Sequence, residues 1–403
     1  MTRTTTAARP RTRVAAVCAA ASAALLTACS PAGPSPDLPD PLPGASLQAG
    51  LADTVTAIGV SDGDLWPSCW SDDDALYAAN GDGSGFGDTF HDIAVNRITG
   101  SPTDENGLEG EFLAGGDDVG QVWSGEGFTR KPTGMLCVDG ALYLAVQDLR
   151  SDFNEAPAAT IARSDDHGMT WTWDRTAPMF SDHVFTTIWF ADYGQDAAGA
   201  PDPAYAYAYG LDGNWRDSFD DSVPDPTELF LARVPVASVQ DATTWEFYAG
   251  RPGDPEPTWT SDITQKAPVL VDERLQHSSD GTGASATGQT VGAHDLTVIS
   301  QGGVTHLPKL GRYVYTSWTE LTFEFFESPT PWGPWTLFLS EDFGPYPWTD
   351  ERYGGYATTI PSKFVSDDSR SVWVQSNICP CAPAGTSSYW FGLRELTLHP
   401  VGD

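Results

Sequence analysis

Five segments of the chain share one rhythm. ALYAANGDG (75–83), ALYLAVQD (141–148), AYAYAYGLDG (204–213), RYVYTSWTE (312–320) and SVWVQSN (371–377) alternate apolar with polar or small positions, and most end on polar residues. A period of two in Tyr, Val and Trp predicts half-buried strands. No comparable segment keeps helical periodicity over twelve residues.

Each copy has a strand-like run before it: WPSCWSD, PTGMLCVDG, FTTIWFADYG, VTHLPKLG and YATTIPSKFVSD. Most have another after it, among them IAVNRITG, AATIARSDD, ELFLARVP, FEFFESP and YWFGLRELTL. LEGEFLA, WTWD, WEFYAG and WTLFLS supply a fourth. Four antiparallel strands recurring at a fixed period describe an all-β fold, a β-propeller. The spacing predicts five blades, with six as the alternative if the long interval before 312 hides another. The stretch 251–290, rich in Pro, Gly and Ser, reads instead as a loop excursion.

In such a fold one face is built from the starts of the innermost strands and from the loops between second and third strands. That placement nominates Asp62, Asp64 and Trp66, then Asp182 and His183, then Tyr353. From the loops come Asn80 and Asp82; Gln147, Asp148 and Glu155; Asp212, Asn214 and Trp215; Trp318 and Glu320; Gln375 and Asn377.

The ends of the chain and its charge narrow the setting. Residues 1–28 hold four arginines and the apolar stretch VAAVCAAASAALLTA, too short for a comfortable membrane span and suited to an export signal. Leu26-Thr27-Ala28-Cys29 resembles a bacterial lipobox, which implies a mature chain that begins at a lipidated Cys29; plain secretion is the alternative. Residues 29–47 are a proline-rich tether, and a single propeller domain is expected over 48–403. Without the signal, 17 Lys+Arg face 55 Asp+Glu, a formal charge of −38. That field repels nucleic acid and anionic headgroups, so contact with a membrane is expected through the lipid anchor alone. A monomer is expected. Of the four cysteines left, Cys69, Cys137, Cys379 and Cys381, disulfides are expected in three alternative pairings. The Cys379-Pro-Cys381 spacing disfavours a direct bridge, which points to one of these two joining a cysteine near the start of the domain.

SDDHGMTW (164–171) packs Ser, Asp, His and Thr into one turn, as an active site would. It also fits the pattern Ser-x-Asp-x-Gly-x-Thr-Trp, so Ser164, Asp166, Gly168, Thr170 and Trp171 resemble an Asp box, the hairpin motif of sialidases and related propellers. The local physics is structural: a carboxylate caps turn amides, Gly takes positive φ, and Trp packs beneath. Asp165 and His167 are expected to be bystanders at the tip. More broadly, WPSCWSDDDALYAANGDG, DGNW with ELFLARVP, WEFYAG, FFESPTPWGPWT and YGGYATTIPSKF resemble a bacterial family of exported propellers of unknown function, some of whose members are endo-D-arabinanases. SPTPWGPW is also similar to a piece of arabinanase and β-xylosidase-like five-bladed glycosidases. A sialidase-like exo-glycosidase is the poorer match, because arginine is scarce and the charge opposes an anionic sugar.

Glycoside hydrolysis requires two carboxyl groups across one bond. Asp64, just before the first inner strand, is the expected base or nucleophile, where similar glycosidases place theirs. Glu320 and Asp212 are the candidate proton donors, and Asp182 or Asp148 would orient the sugar or tune the acid. Trp66, Asp82, Trp215, Trp318, Tyr353 and Asn377 are candidate sugar contacts, with Trp348 a further stacking platform. No cofactor is required by this chemistry. Asp72-Asp73-Asp74 offers oxygen ligands for calcium, against the simpler reading of turn caps on alternating faces; no histidine spacing is typical of zinc. The expected function is hydrolysis of a furanoside-containing polysaccharide, such as arabinan of a bacterial envelope. The opposing reading is a glycan-binding or scaffold lipoprotein without an acid–base pair.

Overall fold

The computed structural model describes residues 38–53, 55, 57–218, 222–276, 296–344, 354–380, 382 and 387–402. The chain is all-β, with only short 3-10 turns among the described residues. Among the described residues its strands group into five antiparallel units, here sheets I to V, beside a separate pair of two-residue strands, Leu275–Gln276 and Leu296–Thr297.

Sheet I pairs Asp62–Asp64 and Ser68–Trp70 with Leu76–Gly85, followed by His91–Gly100 and Leu108–Gly115. Sheet II orders Phe128–Val138, Ala141–Arg150 and Ala159–Ser164. Sheet III runs Thr187–Asp192, Tyr205–Leu211, Glu228–Pro235 and Glu246–Tyr248, extended by Trp259–Thr260 and Pro268–Val271. Sheet IV runs Gly303–Leu307, Arg312–Trp318, Thr322–Ser328 and Thr336–Asp342, and a short parallel pairing of Ala191 with Val304 joins it to sheet III. Sheet V runs Tyr356–Thr359, Ser371–Asn377 and Gly392–Pro400, and its outer strand is Leu47–Leu51 from the other end of the chain. The run YATTIPSKFVSD is extended only over its first four residues, and Ser362–Phe364 turns in a 3-10 coil.

Alternation explains the packing. Along Leu76–Gly85, Tyr77 and Ala79 join a cluster with Met135, Cys137 and Leu144 of sheet II, whereas Leu76 and Ala78 join Trp373 and Leu393 of sheet V. Tyr207 and Tyr209 face Tyr313 and Tyr315 of sheet IV, while Ala206 and Ala208 leave room for Phe185 and Trp245. Val314 shares a cluster with Val372, Val374 and Leu396. Each sheet therefore buries both faces against its neighbours, and the fifth shares a cluster with the first. Strands covered on both sides are near-continuously apolar, which is why Tyr and Ala alternate here where a half-exposed strand would carry charge.

Two expectations change. Cys69 and Cys137 form a disulfide, because alternation sends both into the cluster shared by sheets I and II with their Cα atoms 5.4 Å apart. The cysteine near the start of the domain is thus not joined to Cys379. Cys379 is itself disulfide-bonded, and its partner and Cys381 lie outside the described residues. The octapeptide 164–171 caps itself: Asp166 Oδ1 accepts the Thr170 amide at 2.9 Å, Ser164 Oγ accepts the Gly168 amide at 2.9 Å, and Trp171 Nε1 donates to the Gly168 carbonyl at 3.0 Å. His167 is not a bystander, since its Nε2 lies 2.8 Å from Asp72 Oδ1 and ties this hairpin to sheet I.

Candidate functional site

The first strand of sheet I ends at Asp64, and the two residues after it, Leu65 and Trp66, both take left-handed backbone (φ 72° and 48°). Asp82, Glu320 and Ala357 do the same at φ 40°, 66° and 53°. Such conformations cost on the order of 1–3 kcal/mol each in non-glycine residues and persist where surrounding structure holds them. Here they bracket one cluster of ionisable side chains.

Asp64 is 8% exposed. Its Oδ2 accepts a 2.8 Å hydrogen bond from the Tyr356 hydroxyl, and its Oδ1 is buried without a hydrogen-bond partner. Burial pushes its carboxyl up to about 6; nearby Lys131 opposes that rise, Asp82 adds to it, and the Tyr356 and Tyr389 hydroxyls lower it again. Gly81 stands opposite Asp64 in the strand register, and a Cβ there would lie 2.7 Å from Asp64 Oδ1. Only glycine lets that backbone approach the carboxylate so closely.

Glu320 comes from sheet IV, at the end of the hairpin after Arg312–Trp318, where it bridges to Gly355 at the edge of sheet V. Burial raises its carboxyl above the usual value, partly offset by Arg216, whose Nη1 lies 4.0 Å from Oε1. Its side chain keeps 27% exposure, so it is enclosed but reachable from solvent. Tyr356 connects the two acids: its hydroxyl binds Asp64, and both carboxylates raise its own ionisation far above the ordinary tyrosine value, after burial itself. The rings of Trp318 and Trp215 pack in series against it at tilted angles, 5.8 Å from Tyr356 to Trp318 and 5.5 Å from Trp318 to Trp215.

The other expected site residues divide between this cluster and places away from it. Asp148 is buried, with Oδ2 accepting the Trp123 and Ser124 amides at 2.8 and 2.6 Å. Asp212 accepts the Phe185 amide at 2.8 Å and pairs with Lys266 at 2.8 Å. Asp182 is exposed and accepts only the neighbouring Ser181 hydroxyl among the described contacts. Trp66, Trp215 and Trp318 are buried, each with its indole N–H on a backbone carbonyl, of Gly63, Phe153 and Gln301 respectively. They support the site from below, with little ring face left for a ligand. Asn377 is buried and donates to the Ser388 and Trp390 carbonyls. Asp82 is a third exposed and paired with Lys131. Tyr353, Trp348 and Cys29 lie outside the described residues. The residues that sequence reasoning missed are Tyr356, Lys131, Tyr389 and Arg216. The one visible signal was a lysine, among four in the chain, in the inner strand of sheet II.

Asp72, Asp73 and His167 bring ligand atoms within 4.8 Å of one another. Asp73 already carries the Arg97 guanidinium at 3.0 Å, however, and Asp74 is paired with Lys363. A cavity of about 620 Å³ lies between the outer strand of sheet I and the 164–171 hairpin, lined by His91, Phe112, Asp118, Met169 and Arg175. It contains none of the strained carboxylate cluster, so size and chemistry point to different places, and the buried, strained acids are the better guide to a reaction.

No curated protein matches the chain. Solved structures similar to it include one from Bacteroides ovatus ATCC 8483 that carries only a provisional hydrolase label (12% identity, TM-score 0.48, 89% of this chain and 93% of that one). Others are a GH43_1 enzyme from Xanthomonas citri (16%, 0.45, 87% and 90%) and an endo-1,4-beta-xylanase from Bacteroides thetaiotaomicron VPI-5482 (11%, 0.42, 85% and 92%). At TM-scores under 0.5 these likenesses carry no argument about this chain's chemistry, which rests on its own side chains. Residues 51–372 match the family described as "Domain of unknown function (DUF4185)", and the chain belongs to that family.

Proposed function

We propose that this chain is a five-bladed β-propeller that hydrolyses a furanoside-containing polysaccharide, with bacterial envelope arabinan as the leading substrate. The observation that carries the reading is the pair Asp64 and Glu320: two enclosed carboxyl groups from different sheets, both raised by burial and both near enough to Tyr356 to raise its ionisation. Glycosidases need such a pair with separated tasks. Glu320, raised yet reachable from solvent, donates its proton to the leaving glycosidic oxygen as the C–O bond breaks. Asp64, ionised above about pH 6, acts on the anomeric carbon's other side, either taking a proton from attacking water or bonding the carbon itself. Arg216 lies on the Glu320 side and compensates the carboxylate formed once that proton is gone. Five sheets in chain order, each packed on the next and the fifth on the first, support the closed five-bladed reading. The Ser164–Trp171 hairpin serves as its Asp box. Export and lipid attachment at Cys29 belong to the same proposal and rest on the Leu26–Cys29 sequence.

Incubating the protein with arabinan, arabinogalactan and xylan and resolving the products by chromatography tests it. Release of oligosaccharides from a furanoside polymer, lost in Asp64→Asn, is the expected result. Binding without any product would leave a non-catalytic glycan-binding protein instead.

A further inference from the structure

Lys131 is 2% exposed, yet nothing in the packing of sheet II calls for a charge there. It sits in the inner strand Phe128–Val138, between Arg130, which pairs outward with Asp92 and Asp117, and Pro132. Its ammonium donates to Asp82 Oδ1, to the Asp92 carbonyl and to the Thr129 hydroxyl, the latter two at 3.3 Å. Burying an ammonium costs several kcal/mol unless it is paired, and an apolar residue of similar volume would serve the fold as well.

The geometry ties this pair to Asp64. A Cβ placed on Gly81 would lie 2.7 Å from Asp64 Oδ1 and 3.1 Å from Lys131 Cδ, so carboxylate and lysine stem press on one face of the same residue. Asp82, the next residue, holds the ammonium from a left-handed backbone position. We infer that Lys131 and Asp82 are positioning residues, a buried ammonium and a partly exposed carboxylate whose balance sets the protonation state of Asp64. The inference rests on the reading of Asp64 as base or nucleophile.

The two charges act in opposite senses. Lys131 stabilises the ionised form of Asp64; Asp82, a like charge, opposes it and also holds the ammonium in place. The other groups facing Asp64 are the Tyr356 hydroxyl from sheet V and Tyr389, both neutral in the working range and both favouring the carboxylate. Buried against Leu65 and Gly81 without Lys131, the carboxyl would hold its proton at neutral pH. It would then neither accept a proton nor attack carbon. With the couple in place it ionises just below neutrality while staying basic enough to work.

The test uses the full-length protein with Lys131→Met and Asp82→Asn, and reads two things. The first is the acidic limb of the kcat/KM profile on the active furanoside polymer. Lys131→Met should move that limb up by about one pH unit or more, so that activity at pH 6 falls at least about fivefold and recovers towards pH 8. Asp82→Asn should move it down. The second reading needs no activity: the pH dependence of Tm for each protein is compared with that of its partner carrying Asp64→Asn as well, and the divergence reports where Asp64 titrates. The same opposite displacements are expected. Limbs that stay put, or move in the same direction, overturn the inference. If Lys131→Met does not fold, the downward displacement in Asp82→Asn, a partly exposed position, decides alone. If no polymer is cleaved by any of these proteins the hydrolase reading fails, and the Tm comparison still decides whether the couple controls Asp64.

Discussion

Tyr356 donates a 2.8 Å hydrogen bond to Oδ2 of Asp64, joining the first strand of sheet V to the end of the first strand of sheet I. The other oxygen of Asp64 is buried with no such partner. One oxygen is thus held by Tyr356 while the other lies enclosed against Gly81. That asymmetry suits a group that must accept a proton or attack carbon, and it makes Asp64 expensive for the fold.

The expense is measurable. The Asp64 carboxyl is raised from 3.8 to about 6, chiefly by burial. Between those values the folded protein keeps a proton that the unfolded chain has released, so stability falls as pH rises through this window and stays lower above it. At about 1.4 kcal/mol per tenfold change in protonation equilibrium, the penalty is on the order of 3 kcal/mol at neutral pH. Asp64→Asn keeps an acceptor for Tyr356 without the charge. It should abolish turnover and raise Tm at pH 7 while leaving Tm near pH 4 almost unchanged, as calorimetry at the two pH values would show. A Tm lowered at pH 7 would contradict this account.

Glu320 should behave as a proton donor. Glu320→Gln removes the transferable proton and keeps the shape, and loss of general acid catalysis typically costs 10²–10⁴ in rate. The loss should be large on polysaccharide, whose leaving alcohol needs protonation, and much smaller on an aryl furanoside with an acidic phenol leaving group. Equal losses on both substrates would remove Glu320 from that role.

Asp64 and Glu320 could be nominated from sequence because the expected strand order gathers acids on one face, and the structure brings both within range of Tyr356. Tyr356 itself was not nominated, because the sheet V strand begins three residues later than Tyr353, the residue that the same rule selected. Lys131 was missed for another reason: its partner Asp82 belongs to another sheet, and no spacing along the chain encodes that meeting. The tryptophans mark a limit of composition. A buried indole with its N–H on a backbone carbonyl, as in Trp66, has the same letter as one that stacks on a sugar. The outer strand Leu47–Leu51 lacks the aromatic alternation of the others and pairs with a strand at the far end of the chain.

The hairpin at 164–171 should matter for stability and not for catalysis. Asp166 Oδ1 accepts from the Ser164 hydroxyl at 2.8 Å and the Thr170 amide at 2.9 Å, and Oδ2 from the Thr170 hydroxyl at 2.7 Å. Burial pushes this carboxyl up, but the Thr170 and Ser164 hydrogen bonds more than offset it and hold it below the usual value. Its contribution is therefore present above the ordinary aspartate pKa and lost as pH falls below it. Asp166→Ala should lower stability at pH 7 by about 1–2 kcal/mol, as loss of a capping side chain does. Turnover per folded molecule should not change, which denaturant melts and initial rates on the same preparation would establish.

The Cys69–Cys137 disulfide joins the inner strands of sheets I and II across 68 residues of sequence. Closing a loop of that length removes unfolded-state entropy worth roughly 4 kcal/mol in the chain-entropy relation. Both cysteines are buried beside Tyr77, Met135 and Trp171, so the double substitution Cys69→Ala with Cys137→Ala also gives up some packing. For a domain this large the combined loss should appear as a Tm lower by about ten degrees. The site residues Asp64, Lys131 and Asp82 lie on the same two sheets, and Asp64 and Glu320 make no bond to either cysteine. Catalysis below the new Tm should accordingly survive the double substitution, with the acidic limb of its pH profile where it was. A shifted limb would mean that the disulfide holds the approach of Lys131 to Asp64, and not merely the two sheets.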